Sequence, residues 1–279
     1  MLNTVLISCT VGLYSLATFL IAKALCTTST VLDSNAINIS PRQISIAFGI
    51  GAMATALHLW LAIRYSVIDT QIDFSLGSMT ILISGLLCLI FILGGIGLPV
   101  RRLGIIVFPM TIISIMFGWY WGGEQNTIPS WSTAASIHIV VSILAYCLLA
   151  IATIQALLYT YQERQFKRRV TPAMLVALPP LQTMERLLFR LIGAGFILLS
   201  LTLLSGAIFS VEIYNRPFEF KHHTILAMLG WMVFATLLSL RVLNGIRGAQ
   251  AVYWTIAGFL LIQLGYFGTK FVTEVLAVQ

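Results

Sequence analysis

In "NRPFEFKHHTILAMLGW", residues 215–231, His222 and His223 stand side by side at the mouth of an apolar run that carries no formal charge until Arg241. The other two histidines are His58, in "MATALHLWLAIR", and His138, in "TAASIHIVVSIL". A neutral imidazole carries one N–H and one lone pair, so such a residue can ligate a metal, relay a proton or pack at an interface. Which of these applies depends on the elements that hold the rings.

Those elements are membrane helices. The 279 residues are 59% hydrophobic and 9% charged, with mean hydropathy +0.97; soluble domains carry roughly 25% charged residues. Stretches of about 20 apolar residues, the length of a bilayer crossing, lie near 4–25, 43–64, 76–96, 103–121, 134–160, 187–210, 222–240 and 250–272. The expected fold is all-α, a polytopic integral membrane bundle of eight transmembrane helices. The first stretch has no positive region before its apolar core and reads as a retained span rather than a cleaved signal peptide. The fifth is followed by "YTYQERQFKRR", which continues it into water as a helical extension.

Charge sets the direction. Lys23, Arg42, Arg101, Arg102, Arg164, Lys167, Arg168, Arg169, Arg186, Arg190, Arg241 and Arg247 fall on one side, twelve of the sixteen basic residues. The excess of Lys and Arg makes that side cytoplasmic and puts the N-terminus and the C-terminus outside. Because the net charge of +7 lies in short connections and not along a basic stripe with interleaved aromatics, nucleic acid is not the expected partner. Membrane lipid is.

With that topology all four histidines lie in the outer half of the bilayer. His58 is deepest, six residues before Arg64 and so roughly 9 Å in at 1.5 Å per residue. Each ring could simply rest in the interface. The sharper reading is ligation, because two neutral imidazoles from different helices bind the iron of heme b axially. Arg64 and Arg216, with Lys221, are the outer cations available to its propionates. Zinc is the rival, but the outer carboxylates do not stand at ligand spacing with a histidine.

Two loops add to this. "GWYWGGEQNTIPSW" (118–131) groups Trp119, Tyr120, Trp121 and Trp131 just before His138. That is an aromatic belt, or equally a flat cover for a porphyrin. On the other side, residues 161–186 include Pro179 and Pro180, which stop one helix and start the next. This segment is either a rigid turn or a docking surface for a cytoplasmic or membrane protein partner. Cys9, Cys26, Cys88 and Cys147 are isolated, without a C-x-x-C, and read as small buried hydrophobes. No nucleophile–base pair, phosphate loop or paired carboxylate points to an enzyme.

Three segments carry a family resemblance: "SIHIVVSILAYCLLAIATIQALLYTYQERQFKRR", "LPPLQTMERLLFRLIGAGFILLSLTLLSG" and "LNGIRGAQAVYWTIAGFLLIQLGYFGTKFV". Together they resemble the cytochrome c assembly (CcmC/CcsA) superfamily, in its YpjD/HemX-like branch of bacterial inner-membrane proteins. The likeness is strongest over 119–273 and divides the single membrane domain into three N-terminal spans, 1–102, and five assembly-like spans, 103–279. It implies a multi-pass protein of the bacterial inner membrane that handles heme at the outer face. By motif His138 falls on one ligand position; His222 corresponds to the other outer-face histidine, and His223 stands where the branch commonly has lysine. The resemblance thus implies metal ligation by His138 and His222 beside the Trp119–Trp121 loop; on the reading of the residues themselves, Arg64 and Arg216 meet the propionates and His58, deeper in span two, lines the pocket or replaces a ligand in another state.

The full family loop, Trp-Gly-x-Phe-Trp-x-Trp-Asp, is reduced here to Trp119, Trp121, Gly122 and Gly123, a loss the branch shares. Heme handling, cytochrome assembly and regulation of heme biosynthesis are therefore all compatible with the resemblance. The alternatives are a transporter or exporter of heme or another solute, or a scaffold recruiting a cytoplasmic partner through 161–186. Ion-coupled transport is disfavoured because every Asp and Glu lies in a loop or near a span end.

Overall fold

The computed structural model describes residues 2–29, 41–68, 71–97, 101–121, 133–168, 180–211 and 222–272. Backbone polar groups in a bilayer must be satisfied within their own segment, so apolar runs of this length become helices. They do so here: α1 Leu2–Ser29, α2 Pro41–Ser66, α3 Leu76–Gly97, α4 Gly104–Tyr120, α5 Thr133–Lys167, α6 Leu181–Ile208, α7 His222–Asn244 and α8 Ala249–Gln263. Residues Leu264–Gly268 prolong α8 as a π-helical turn, followed by Thr269–Phe271. Between α2 and α3 the two-residue strands Val67–Ile68 and Gln71–Ile72 pair antiparallel.

The chain is thus an all-helical, polytopic membrane bundle. Among the described residues seven helices are long and apolar enough to cross a bilayer. The eighth expected span, α4, has 17 residues, about 25 Å at 1.5 Å per residue and shorter than a hydrocarbon core of about 30 Å. In contrast α5 has 35 residues and outruns the core by about 20 Å, as its polar "YQERQFK" end requires. There Lys167 pairs with Glu163 at 3.0 Å.

The helices divide into two compact units, α1–α4 and α5–α8. Thus α4 packs with the first three helices. In the first unit α1 and α3 each pack against both α2 and α4. Tyr14, Ile21, Leu61, Phe108 and Ile115 fill its centre, the rings of Tyr14 and Phe108 lying 5.4 Å apart. Asp73 anchors the start of α3 by accepting the hydroxyls of Ser75 at 2.7 Å and Ser78 at 2.6 Å.

In the second unit α5 packs against α6 and α8, and α7 packs against the same two. The four close a ring in which α5 and α7 face each other across the middle. Antiparallel α5 and α6 meet where Gln155 Nε2 donates to the Met184 carbonyl at 3.3 Å. Trp231 of α7 stacks on Phe196 of α6 at 5.4 Å and donates from Nε1 to Ser200 Oγ at 2.8 Å. The Tyr146 hydroxyl of α5 donates to Gln263 Oε1 of α8.

Candidate functional site

His138 lies in the second turn of α5, partly buried. Its Nδ1 is 2.8 Å from Ser205 Oγ, three residues before the end of α6. The Ser205 hydroxyl in turn donates to the Thr202 carbonyl at 3.0 Å. The next residue, Gly206, comes so close that an added Cβ would sit 3.2 Å from His138 Cε1. A side chain there would press the ring aside, so the Ser-Gly pair supplies both a polar partner and the room to use it.

His222 and His223 open α7 and are exposed. Alongside them runs the end of α8, where a Cβ on Gly265 would lie 3.3 Å from the His223 carbonyl. Gly265 sits inside the π-helical turn, a feature that often marks functional sites. The start of α5, the end of α6, the start of α7 and the end of α8 therefore meet at one end of the second unit. That end carries His138, His222 and His223. Its exposed apolar side chains include Ile137, Leu204, Ile208 and Ile225.

His58 belongs to the first unit and is fully buried there. Its Nδ1 faces the Tyr14 hydroxyl at 3.4 Å and its Nε2 faces Ser84 Oγ at 3.5 Å, so α1 and α3 hold the ring from both sides. Ser84 Oγ donates to the Ile81 carbonyl at 3.1 Å. Edge-on contact with the Tyr14 ring, at 6.0 Å between centroids, completes its surroundings.

Trp119 and Trp121 sit at the end of α4, also in the first unit, and both are exposed. Trp121 stacks on Phe117 at 5.3 Å and meets Tyr120 edge-on at 5.2 Å. Arg64 is exposed in the last turn of α2. Arg216 and Lys221, with Trp131 and the rest of the aromatic loop from Gly122 onward, lie outside the described residues, as does Pro179. The structure therefore brings His138 and His222 to one end of one unit and puts His58, Trp119, Trp121 and Arg64 in the other.

Ser205 and Gly206 were missed as site residues. Their signal was "LLSGAIFS", a hydroxyl and a glycine close to the end of a span that borders the same loops as His138. Among the described residues no three His, Cys, Asp or Glu side chains converge as metal ligands, so a zinc site would need donors from outside them.

The helices define a polytopic membrane protein whose second unit carries His138, His222 and His223 at one end. The family model described as cytochrome C assembly protein matches residues 44–277, and the chain belongs to that family. It is 27% identical over 172 residues to the inner membrane protein YpjD of Escherichia coli K12, covering 62% of this chain and 64% of the relative. An uncharacterized 28.8 kDa protein of Azospirillum brasilense is 32% identical over 140 residues, 50% of this chain and 52% of that one. The cytochrome c biogenesis protein CcsA of Guillardia theta is 27% identical over 150 residues, 48% and 50% of the two chains. The chain thus spans less than two thirds of the length of these relatives. No solved structure matches it. The E. coli relative's name and the membrane-length helices agree with a multi-pass protein of the bacterial inner membrane.

Proposed function

We propose that this chain is a heme-binding membrane protein of the cytochrome assembly type, which holds heme b at the outer face for cytochrome assembly or for control of heme synthesis. The observation that carries the reading is the placement of His138 and His222 at the same end of one four-helix unit, on helices that face each other across it. In this reading His138 and His222 would hold the heme, and its iron would supply a centre that takes neutral nitrogen donors.

The residues present fit such a group. The donors are uncharged imidazoles, Gly206 lets α6 approach the His138 ring without a side chain against it, and the same end exposes the apolar side chains Ile137, Leu204, Ile208 and Ile225. In this reading His138 and His222 ligate, while His58, held from both sides in the other unit, supports that unit's core. Arg216, outside the described residues, remains the proposed cation for the propionates.

The test is an absorption spectrum of the protein purified from cells supplied with a heme precursor. A Soret band with low-spin b-type bands, at about one heme per chain, supports the proposal; a protein that stays colourless and takes up no added hemin removes it.

A further inference from the structure

We propose that Arg186 and Arg190 of α6 form the headgroup site of a bound anionic phospholipid, whose acyl chains lie along the exposed side of the same helix.

The site follows from where α6 leaves the bilayer. With 28 residues it is about 42 Å long, so about 12 Å of it stands outside a hydrocarbon core of about 30 Å. The surplus lies at the polar start, "LQTMER", because residues 191–208 carry no charge. Arg190 therefore stands at the edge of the core and Arg186 one turn farther out, at headgroup level. Charged side chains within a span generally turn into the bundle. These two are exposed instead.

The described protein gives them no counter-charge. In the second unit the described carboxylates are Glu163 and Glu185. Glu163 pairs with Lys167 at 3.0 Å and Glu185 with Arg241 at 2.8 Å. Glu185 adjoins Arg186 in sequence but points about 100° away round the helix, toward α7. Two unmatched guanidiniums remain, four residues apart and so about 5–6 Å between Cβ atoms. Their forked donors suit one phosphate held from two levels. A zwitterionic lipid would bring a further cation to that place, whereas an anionic lipid neutralises it.

The same face continues as an apolar seat. Ala194, Ile197 and Leu201 are exposed below Arg190, at the spacing that keeps them in line with the arginines. From Arg190 to Leu201 is about 16 Å, half the core and thus the depth of one leaflet. Beside them Gly193 has open space where a side chain would stand, room for a glycerol backbone. The protein contacts of α6 lie elsewhere: Met184 and Gly195 meet α5, and Phe196 and Ser200 meet α7.

Native mass spectrometry of the full-length protein tests this, with phosphatidylglycerol and phosphatidylcholine of identical acyl chains added in equal amounts. Wild type should retain phosphatidylglycerol better by on the order of tenfold. The double variant Arg186→Gln/Arg190→Gln should show no preference, while Arg164→Gln/Arg168→Gln, on the polar extension of α5, should behave as wild type. Arg186→Lys/Arg190→Lys keeps the charges that govern insertion and should lose several-fold through the missing fork. The proposal is overturned by a wild type without preference, or by an equal loss in the α5 variant. An undiminished preference in the inserted Gln variant, or in the Lys variant if the Gln variant fails to insert, overturns it too. Displacement of the lipid by millimolar inorganic phosphate would show an anion site in which the acyl chains play no part. Ready disulfide formation between two copies carrying Ile197→Cys, in a background without the native cysteines, would put protein where the lipid is proposed; either result sinks the idea.

Discussion

Arg241 of α7 and Glu185 of α6 form an ion pair at 2.8 Å, at the end of the second unit opposite the histidines. Arg241 also donates from Nη1 to the Ile246 carbonyl at 2.7 Å and lies over the Phe189 ring at 4.3 Å. The two partners are not equivalent. Glu185→Gln leaves the guanidinium its carbonyl and its ring, whereas Arg241→Gln leaves a largely buried carboxylate without its cation. Thermal unfolding in detergent should show Arg241→Gln costing about 1–3 kcal/mol and Glu185→Gln clearly less. Equal losses would mean that the pair alone, and not its surroundings, holds the contact.

Trp231 tests the contact between α6 and α7 near mid-span. Trp231→Phe keeps an aromatic face against Phe196 but removes the bond to Ser200 Oγ. A double-mutant cycle with Ser200→Ala should give a coupling of about 0.6 kcal/mol, the usual worth of a side-chain bond between membrane helices. Zero coupling would show that the indole N–H gains nothing from that hydroxyl.

His58 should behave as a core residue. In His58→Leu the Ser84 hydroxyl keeps the Ile81 carbonyl and Tyr14 keeps Thr55 at 3.2 Å, so the loss should be about 1–3 kcal/mol. Heme content per folded protein should not change. A folded His58→Leu protein without heme would assign His58 to the cofactor.

The proposed orientation rests on the basic residues alone. Single cysteines at Gln125 and Gln165, in a background without the native cysteines, separate the two sides of the membrane. An impermeant reagent on intact cells should label the first and spare the second. The reverse pattern would invert the topology and put the histidine end in the cytoplasm.

The number of apolar helices and their approximate limits were legible because the bilayer imposes a length, although α4, at 17 residues, falls short of the span expected of it. Even α5's polar extension could be read from "YQERQFK". The start of α6 at Leu181 was harder: the sequence put the sixth span at 187, but Pro180 starts the helix and its first turns, "LQTMER", are polar. Which helices share a unit was not legible, since lipid-facing and helix-facing sides are both apolar in a membrane protein. The difference between His58 and His138 was hidden for another reason. The serines that hold them stand 26 and 67 residues away, on other helices, and neither rim position nor depth predicts which nitrogen such a hydroxyl will meet.

The central claim is that His138 and His222 ligate one heme, and the most direct measurement is heme content and visible spectrum across the single histidine variants. Wild type should show a low-spin b-type spectrum that disappears on acidification, when protonation takes the imidazole lone pairs. His138→Ala and His222→Ala should each lose most of the heme, while the neighbouring His223→Ala retains it. If His138→Ala and His222→Ala both keep wild-type heme content and an unchanged low-spin spectrum, the ligand assignment is wrong.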